Sequence, residues 1–228
     1  MSNLEEFIKM NTRRTSVVHV GGFRPTGDPL ATNFCLRPVA LPDESWPLHE
    51  GEPLYFICQL NLTQAPFVPE ILQDIAVITF FIKPELGLMS ESNGNDWCVR
   101  AYKSLDGLEP MPMPEEMPEW ERGFECQWKE VEDQPVYDDP ELIVPEGFDA
   151  DEIELDNVGM TKIGGYASNI QSEPWWGYRA HPAKPRYCFQ IDSEEKVNLM
   201  WGDNGRIYIA RGTTPGTEDE WFLEWQCY

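Results

Sequence analysis

Short runs of β-branched and aromatic residues recur along this chain, and glycine or proline separates most of them. The 228 residues include 17 glycines and 20 prolines. Both residues weaken helices, because glycine loses the most backbone entropy and proline lacks the required N–H. The pattern disfavours a helical bundle and predicts an α+β fold, predominantly of antiparallel strands. The predicted strands are 15–20, 34–40, 54–62, 75–82, 97–102, 187–191, 197–201, 206–211 and 221–227.

Two local signals add detail to this outline. Ser2 and Glu5 form a capping-box pattern, and the apolar residues around them have helical spacing, which predicts a short N-terminal helix over residues 3–12. Residues 202–205 read Gly-Asp-Asn-Gly between two predicted strands. Since Asn-Gly readily adopts positive φ angles, this sequence predicts a hairpin turn.

A weak internal duplication is visible. In each half a glycine pair precedes a strand with one central glutamine, and a hydrophobic strand follows. The elements are Gly21, Gly22, Gln59 and 78–82 in the first half, and Gly164, Gly165, Gln190 and 206–209 in the second. We expect a single unit over residues 1–228, built from two similar half-domains (1–108 and 157–228). A buried glutamine needs several hydrogen-bond partners, so each either holds nearby backbone groups or lines a groove between the halves.

The connecting segment, residues 109–156, has a different composition. It holds 18 acidic and two basic residues, so that −16 of the chain's net charge of −23 lies there. Methionines and aromatic residues are interleaved with seven prolines. A disordered linker would lack the aromatic residues, so we expect an irregular but packed segment that presents carboxylates outward. The overall charge disfavours nucleic acid or an anionic membrane as a direct partner.

Motifs for catalysis, cofactors or metals are missing. The sequence contains no phosphate-binding loop, Gly-x-Ser-x-Gly elbow or His-Glu-x-x-His, and its six cysteines lack zinc-site spacing. We therefore predict no catalytic residues, no metal and no cofactor. The N-terminus lacks a basic signal region and the apolar runs are short, so a cytoplasmic protein with reduced thiols is expected. Trp175 and Trp176 are interpreted as packing residues, with a sugar-stacking platform as the alternative.

Several motifs resemble the YwqG-like family of bacterial proteins of unknown function. They are the sequences at 162–166, 188–192, 200–208 and 226–228, together with Gln171 and, in the first half, 21–25, 46–47 and 53–61. The resemblance implies one α+β unit built largely of sheet, with no established activity. Some members look like immunity proteins encoded beside secreted antibacterial toxins. The family-motif residues, which we interpret as structural, are Gly21, Gly22, Gln59, Gly164, Gly165, Gln171, Gln190, Trp201, Gly202, Asp203 and Gly205.

These observations predict a non-enzymatic module that binds a basic protein, plausibly an immunity protein that neutralises a toxin such as a nuclease. Complementary charge speeds the encounter of two proteins and helps to set their specificity. The predicted partner-binding residues are Glu115, Glu116, Glu119, Glu121, Asp138, Asp139 and Glu141. Two alternatives stay open: an enzyme that acts on a small molecule or glycan with carboxylates in a groove between the halves, and a structural or scaffolding protein.

Overall fold

The computed structural model describes residues 3–84, 92–115, 122–150 and 153–228. These residues form two α-helices, α1 (Asn3–Met10) and α2 (Trp175–Tyr178), and three 3₁₀ turns at Leu62–Gln64, Glu70–Leu72 and Glu195–Val197. The strands are β1 (Arg13–Val20), β2 (Asn33–Phe34), β3 (Val39–Ala40), β4 (Leu48–His49), β5 (Glu52–Pro53), β6 (Tyr55–Asn61), β7 (Val77–Ile82), β8 (Trp97–Tyr102), β9 (Glu109–Pro110), β10 (Phe124–Asp133), β11 (Lys162–Gly164), β12 (Arg186–Asp192), β13 (Arg206–Arg211) and β14 (Trp221–Gln226).

Ten strands form one antiparallel sheet in the order β14-β13-β12-β11-β1-β10-β2-β6-β7-β8. At its centre, β1 pairs with β10 from Arg13 opposite Asp133 to Val20 opposite Cys126. The predicted predominance of antiparallel strands is confirmed, and so is the short N-terminal helix. Helix α1 buries Phe7 completely and leaves its polar face in solvent.

Strand β10, the longest, lies in the acidic segment that we expected to be irregular. Two of its carboxylates accept hydrogen bonds from residues nearby. Glu130 accepts hydrogen bonds from Arg14 at 2.7 and 2.9 Å, and buried Glu125 accepts the N–H groups of Thr26 and Gly27. The expectation was wrong here because β1 pairs with most of β10 and β2 pairs with its first two residues, and these backbone hydrogen bonds outweigh the low strand propensity of acidic residues.

After β10, residues 134–150 of the acidic segment are irregular and packed, as expected. Asn11, buried just beyond α1, donates from Nδ2 to the carbonyl of Ile143 at 2.9 Å and accepts the N–H of Ile143 at 2.8 Å. The ring of Phe148 stacks on Phe7 with centroids 4.8 Å apart. These contacts hold the loop against the N-terminal helix and thereby position the carboxylates that it carries.

Two meanders flank the central pair, and both proceed outward in chain order. In β6–β7–β8, Gln59 lies opposite Thr79 and the register shifts between residues 56 and 58. In β12–β13–β14, Gln190 lies opposite Tyr208 and the register shifts between residues 187 and 189. Both glutamines are completely buried. Each lies two residues after the residue at which the register shifts, which is residue 57 for Gln59 and residue 188 for Gln190.

The predicted strand over 197–201 is wrong, and so is the predicted hairpin between it and β13. Val197 ends a 3₁₀ turn, Asn198 has a left-handed conformation (φ 57°), and Leu199 forms only an isolated bridge with Glu194. Strand β13 pairs with β12 and β14 instead. The Gly-Asp-Asn-Gly sequence does turn the chain. A hairpin would require residues 197–201 to pair with β13, but β12 and β14 already pair with its two edges.

The largest apolar cluster draws residues from both meanders, including Phe80 and Trp97 from one and Phe189 and Trp221 from the other. The two halves therefore share one core. All six cysteines are free thiols and five are buried. Burial raises the pKa of the Cys188 thiol to about 12, so this thiol stays protonated at neutral pH.

Replacement of Gln190 by Met should destabilise the fold. Gln190 accepts the N–H of Ser168 at 3.0 Å and donates to the carbonyl of Met160 at 2.9 Å. Methionine has a similar shape but leaves both groups unsatisfied, so we expect the free energy of unfolding to fall by about 3 kcal/mol. Urea denaturation measures this loss. Gln127→Met, at an exposed position on β10, is the matched control and should change stability by less than about 0.5 kcal/mol; equal losses would contradict the role of Gln190.

Candidate ligand-binding site

A cavity of about 520 Å³ lies where β1, β11 and the start of β12 meet the loops before and after them. This volume falls in the usual range for small-molecule and side-chain pockets. Three groups of lining residues matter chemically: the carboxylates Asp139, Glu141 and Glu173, the cations Arg13, Arg14 and Arg186, and the aromatic residues Phe67, Tyr166, Trp176 and Tyr187.

Part of the wall is a glycine turn, which places two of the predicted family-motif residues at the cavity. Gly164 and Gly165 end β11 with φ angles of 75° and 65°. A Cβ on Gly165 would overlap the carboxylate of Asp133. Glycine is thus required here twice, for its left-handed backbone and for close approach to a buried side chain.

The carboxylate of Asp133 accepts hydrogen bonds that hold the glycine turn in place. Its Oδ2 accepts hydrogen bonds from Nζ of Lys162 at 2.7 Å and from the N–H of Tyr166 at 2.8 Å, and its Oδ1 accepts the N–H of Val158 at 2.8 Å. Both side chains of the Asp133–Lys162 pair are fully buried. Because neither can reach a ligand, the pair supports the site and does not form part of it.

Burial lowers the pKa of Lys162 to about 8, and the charge of Asp133 opposes this shift. Lys162 therefore stays mostly protonated at neutral pH. The oxygen of Ser168 lies 3.2 Å from Nζ and provides a second partner. A charged ammonium with two partners explains how the interior accommodates a lysine.

The three cavity carboxylates form an anionic group, which we call the carboxylate corner (Asp139, Glu141 and Glu173). Arg13 pairs with Glu141 at 2.5 Å and lies over the ring of Tyr166, 3.9 Å from its centroid. Asp139 accepts the N–H of Glu141 at 2.8 Å. Among the described residues, no cation pairs with Asp139 or Glu173.

The pKa values of the carboxylate corner reflect this shortage of positive charge. Burial raises the pKa of Glu173, and the charges of Asp139 and Glu141 raise it further. Burial likewise raises the pKa of Asp139, with the charge of Glu141 adding to the effect and Arg13 opposing it. Both carboxylates would be stabilised by a cation that entered the cavity.

The three arginines that line the cavity differ in whether a carboxylate pairs with them. Arg13 is held by Glu141, and Arg14 by Glu130, with its guanidinium 4.7 Å from the ring centroid of Phe67. The guanidinium of Arg186, the exposed first residue of β12, has no hydrogen-bond or ion-pair partner among the described residues. Arg186 is thus the lining cation that is available to a ligand.

The tryptophan pair lies on α2 and mostly packs, as we predicted. Trp176 is 9% exposed and belongs to the same small apolar cluster as Tyr208 and Phe222. Trp175 donates from its indole N–H to the carbonyl of Leu223 at 3.2 Å. Trp176 also lines the cavity, so the pair contributes one wall to it.

The predicted partner-binding residues do not all lie together. Asp139 and Glu141 line the cavity, and Asp138 is exposed beside them. Glu115 follows β9, which pairs with β3 in the first half. Glu116, Glu119 and Glu121 lie outside the described residues. Whether these carboxylates bind a partner stays a prediction.

Most of the other family-motif residues lie away from the cavity. Gln59 accepts a hydrogen bond from the N–H of Val39 at 2.9 Å and donates to the carbonyls of Pro29 and Ala31, also at 2.9 Å. Like Gln190, it therefore bonds to backbone groups of both kinds. Gly21 and Gly22 follow β1. Trp201 is 3% exposed in the core. Their contacts match the structural interpretation of these residues.

The remaining motif residues surround the C-terminus. Gln171 donates to the carbonyl of Cys227 at 2.6 Å, and the carbonyl of Asp203 accepts the N–H of Tyr228 at 3.1 Å. A Cβ on Gly202 would press on Trp225 at 2.8 Å, and one on Gly205 would overlap backbone carbonyls. These residues fasten the last strand to the preceding turn.

Sequence reasoning missed Glu173, Arg186 and Tyr166 as site residues. Glu173 and Arg186 are ordinary surface residue types outside any motif, 13 positions apart. Tyr166 ends the Lys-Ile-Gly-Gly-Tyr motif, so its place in that motif was the one signal present in the sequence. No group of three metal-ligating side chains lies together in the described part of the chain, and none of its helices has the length and apolar character of a membrane span.

Gly165→Ala should be much more destabilising than Gly22→Ala. Both glycines have positive φ angles, but a Cβ on Gly22 meets no atom within 4 Å. The control therefore reports backbone strain alone, whereas Gly165→Ala also displaces Asp133 from its buried ion pair with Lys162. We expect a difference in the free energy of unfolding of about 3 kcal/mol, measured by urea denaturation. Equal effects would show that the close approach is not required.

Glu173 should titrate above the usual range of a glutamate. Carbon-detected NMR of the side-chain carboxyl measures its midpoint. Asp139→Asn removes a nearby negative charge and should lower the pKa of Glu173. Glu146→Gln, at an exposed acid of the same segment that does not line the cavity, should leave that midpoint in place. An unchanged midpoint in Asp139→Asn would mean that the two carboxylates do not interact.

Comparison with known proteins supplies the family of the chain. A domain of unknown function, DUF1963, matches residues 32–210. The matched range contains the carboxylate corner and Arg186, while Arg13 and Arg14 precede it. No curated protein matches the chain. Since the matched range covers more than three quarters of the sequence, this protein belongs to the DUF1963 family of unknown function.

Proposed function

We propose that this protein is a non-enzymatic binding module that captures a basic protein at the cavity and acts as an immunity protein against a toxin such as a nuclease. One observation carries the proposal: three carboxylates share the cavity, and Glu141 alone has a cationic partner among the described residues. A lysine or arginine side chain of the partner would supply the missing charge. Complementary charge also accelerates association.

The wider acidic segment supports the same proposal. The segment 109–156 carries a net charge of −16 and includes Asp139 and Glu141 of the carboxylate corner, and its residues Ile143 and Phe148 contact Asn11 and Phe7. An anionic surface of this kind attracts cationic proteins over distances of about a Debye length, roughly 8 Å at physiological salt. A toxin that binds nucleic acid carries the matching positive surface.

The finer family assignment is also a proposal. We assign the chain to the YwqG-like group on its motifs, and we infer that its halves arose from one duplicated unit. Supporting the duplication, Thr32 Oγ1 accepts the N–H of Asn61 at 3.0 Å and Thr161 Oγ1 accepts the N–H of Asp192 at 2.9 Å. The glycine pairs do not take part in this correspondence, since Gly21–Gly22 follow β1 whereas Gly164–Gly165 end β11.

We propose a cytoplasmic location on the basis of the cysteines. Six free thiols, five of them buried, suit a reducing compartment, because an oxidising one favours disulfides in small proteins. A cytoplasmic binder would meet an incoming toxin inside the cell that it protects.

An enzyme that uses the carboxylate corner is the second candidate. The raised pKa values of Glu173 and Asp139 favour it, since acid–base catalysis often uses such groups. However, both carboxylates lie on loops, and among the described residues no side chain hydrogen-bonds to either of them. Catalysis requires tightly held groups, so this geometry supports binding better than turnover.

A binding experiment tests the proposed function. Catalytically inactivated, cationic toxin nuclease domains are presented on a sensor, and association rates are measured at 50 and 300 mM salt. At least one domain should bind, more slowly at high salt. The double variant Asp139→Lys/Glu173→Lys should lower its association rate at least about tenfold, because it reverses charge at the cavity.

The matched control is Glu146→Lys/Glu154→Lys, which makes the same charge change at exposed acids outside the cavity. We expect this control to retain most of the wild-type rate. Equal losses in the two double variants would place binding elsewhere on the acidic segment. Absence of binding across the panel would reject the proposed function.

A further inference from the structure

We propose that the cavity recognises a basic side chain together with a neighbouring carboxylate group, as in a C-terminal arginine or lysine of a polypeptide or in the free amino acid. This inference rests on the proposed function, since it names the group of the basic partner that enters. It adds a second determinant of ligand binding, the cation Arg186, which is not among the predicted acidic partner-binding residues.

Size sets the first limit on the ligand. A cavity of about 520 Å³ holds one or two amino-acid residues and cannot accommodate a folded surface. A protein partner would therefore reach it with a chain end or with a projecting side chain.

The carboxylate corner selects the basic group. Asp139 and Glu173 both have raised pKa values, and each is without a cationic partner in the described part of the chain. Glu141 cannot serve in the same way, because Arg13 already pairs with it. A guanidinium or ammonium group that binds Asp139 and Glu173 gains two charge-assisted hydrogen bonds.

Arg186 selects the anionic group. The other two lining arginines are already paired with glutamates, so Arg186 is the cation left for a ligand among the described residues. A guanidinium offers two parallel N–H donors that match both oxygens of a carboxylate. A chain end with a basic side chain carries both required charges within one residue.

The walls suit the aliphatic stem of such a residue. Trp176 and Tyr187 line the cavity beside Arg186. The hydroxyl of Tyr187 donates to Oε1 of Gln190 at 3.2 Å, and burial raises its pKa, so the ring stays neutral and fixed. Asn169, another lining residue, has a buried Oδ1 that accepts no hydrogen bond in the described part of the chain.

The experiment compares four probes by isothermal titration calorimetry with the full-length protein. They are N-acetyl-Gly-Ser-Gly-Arg with a free carboxylate, the same peptide with a C-terminal amide, a peptide with the arginine in its interior, and free L-arginine. We expect the free-carboxylate peptide to bind at least about tenfold more tightly than the amide and the interior peptide, the size of effect that a charged hydrogen-bonded pair produces.

Two variants assign the effect to residues. Arg186→Gln should abolish the preference for the free carboxylate while leaving the affinity for the amide unchanged. Arg179→Gln is the matched control, since Arg179 is an exposed arginine directly after α2 and outside the cavity lining; it should keep the full preference. Asp139→Asn/Glu173→Gln should weaken both peptides, because each presents the same basic side chain.

The outcomes separate the two proposals. If the wild type binds the amide as tightly as the free carboxylate, the inference fails while the binding of basic groups stands. If the peptides do not bind but a toxin domain binds at the cavity, the inference also fails and the proposed function stands. Tighter binding of the peptide than of L-arginine supports a chain end as the source of the ligand, and equal binding supports the free amino acid.

Discussion

The buried ion pair between Asp133 and Lys162 is the interaction on which the site depends. Asp133 ends the central strand β10 and Lys162 begins β11, so the pair links two strands that lie on opposite sides of β1. Asp133 also accepts the backbone N–H groups of Val158 and Tyr166. A carboxylate with these partners is satisfied in the interior, whereas removal of either ion would leave an uncompensated charge there.

The consequences of this interaction reach the surface through the glycine turn. Because Gly165 lies directly against Asp133, the chain can bend over the pair and bring Tyr166 to the cavity. Arg13, on the neighbouring strand, then lies over the Tyr166 ring and pairs with Glu141. A fully buried ion pair thus supports a cavity whose own charges are incompletely matched among the described residues.

The degree to which sequence predicted structure differs between elements. Strands β6, β7, β12 and β13 were predicted well, because their runs of buried apolar residues are bounded by turn residues. Strand β10 was missed, because its six polar residues in ten lower its strand propensity and its pairing partners are distant in the chain. The segment at 197–201 was overpredicted, because an apolar run before a turn cannot reveal that the adjacent position in the sheet is already occupied.

By itself, the sequence determined the class of the fold, the acidic character of the segment 109–156 and the positions of the glycines and of the two glutamines that the strands bury. These properties depend on local backbone preference and on composition, which a single chain displays directly. Only the tertiary structure decided which carboxylates share a cavity, which arginines are already paired and that Arg186 remains available. Those facts arise from side chains far apart in the sequence, and their charges interact only after the sheet has brought them within a few ångströms of one another.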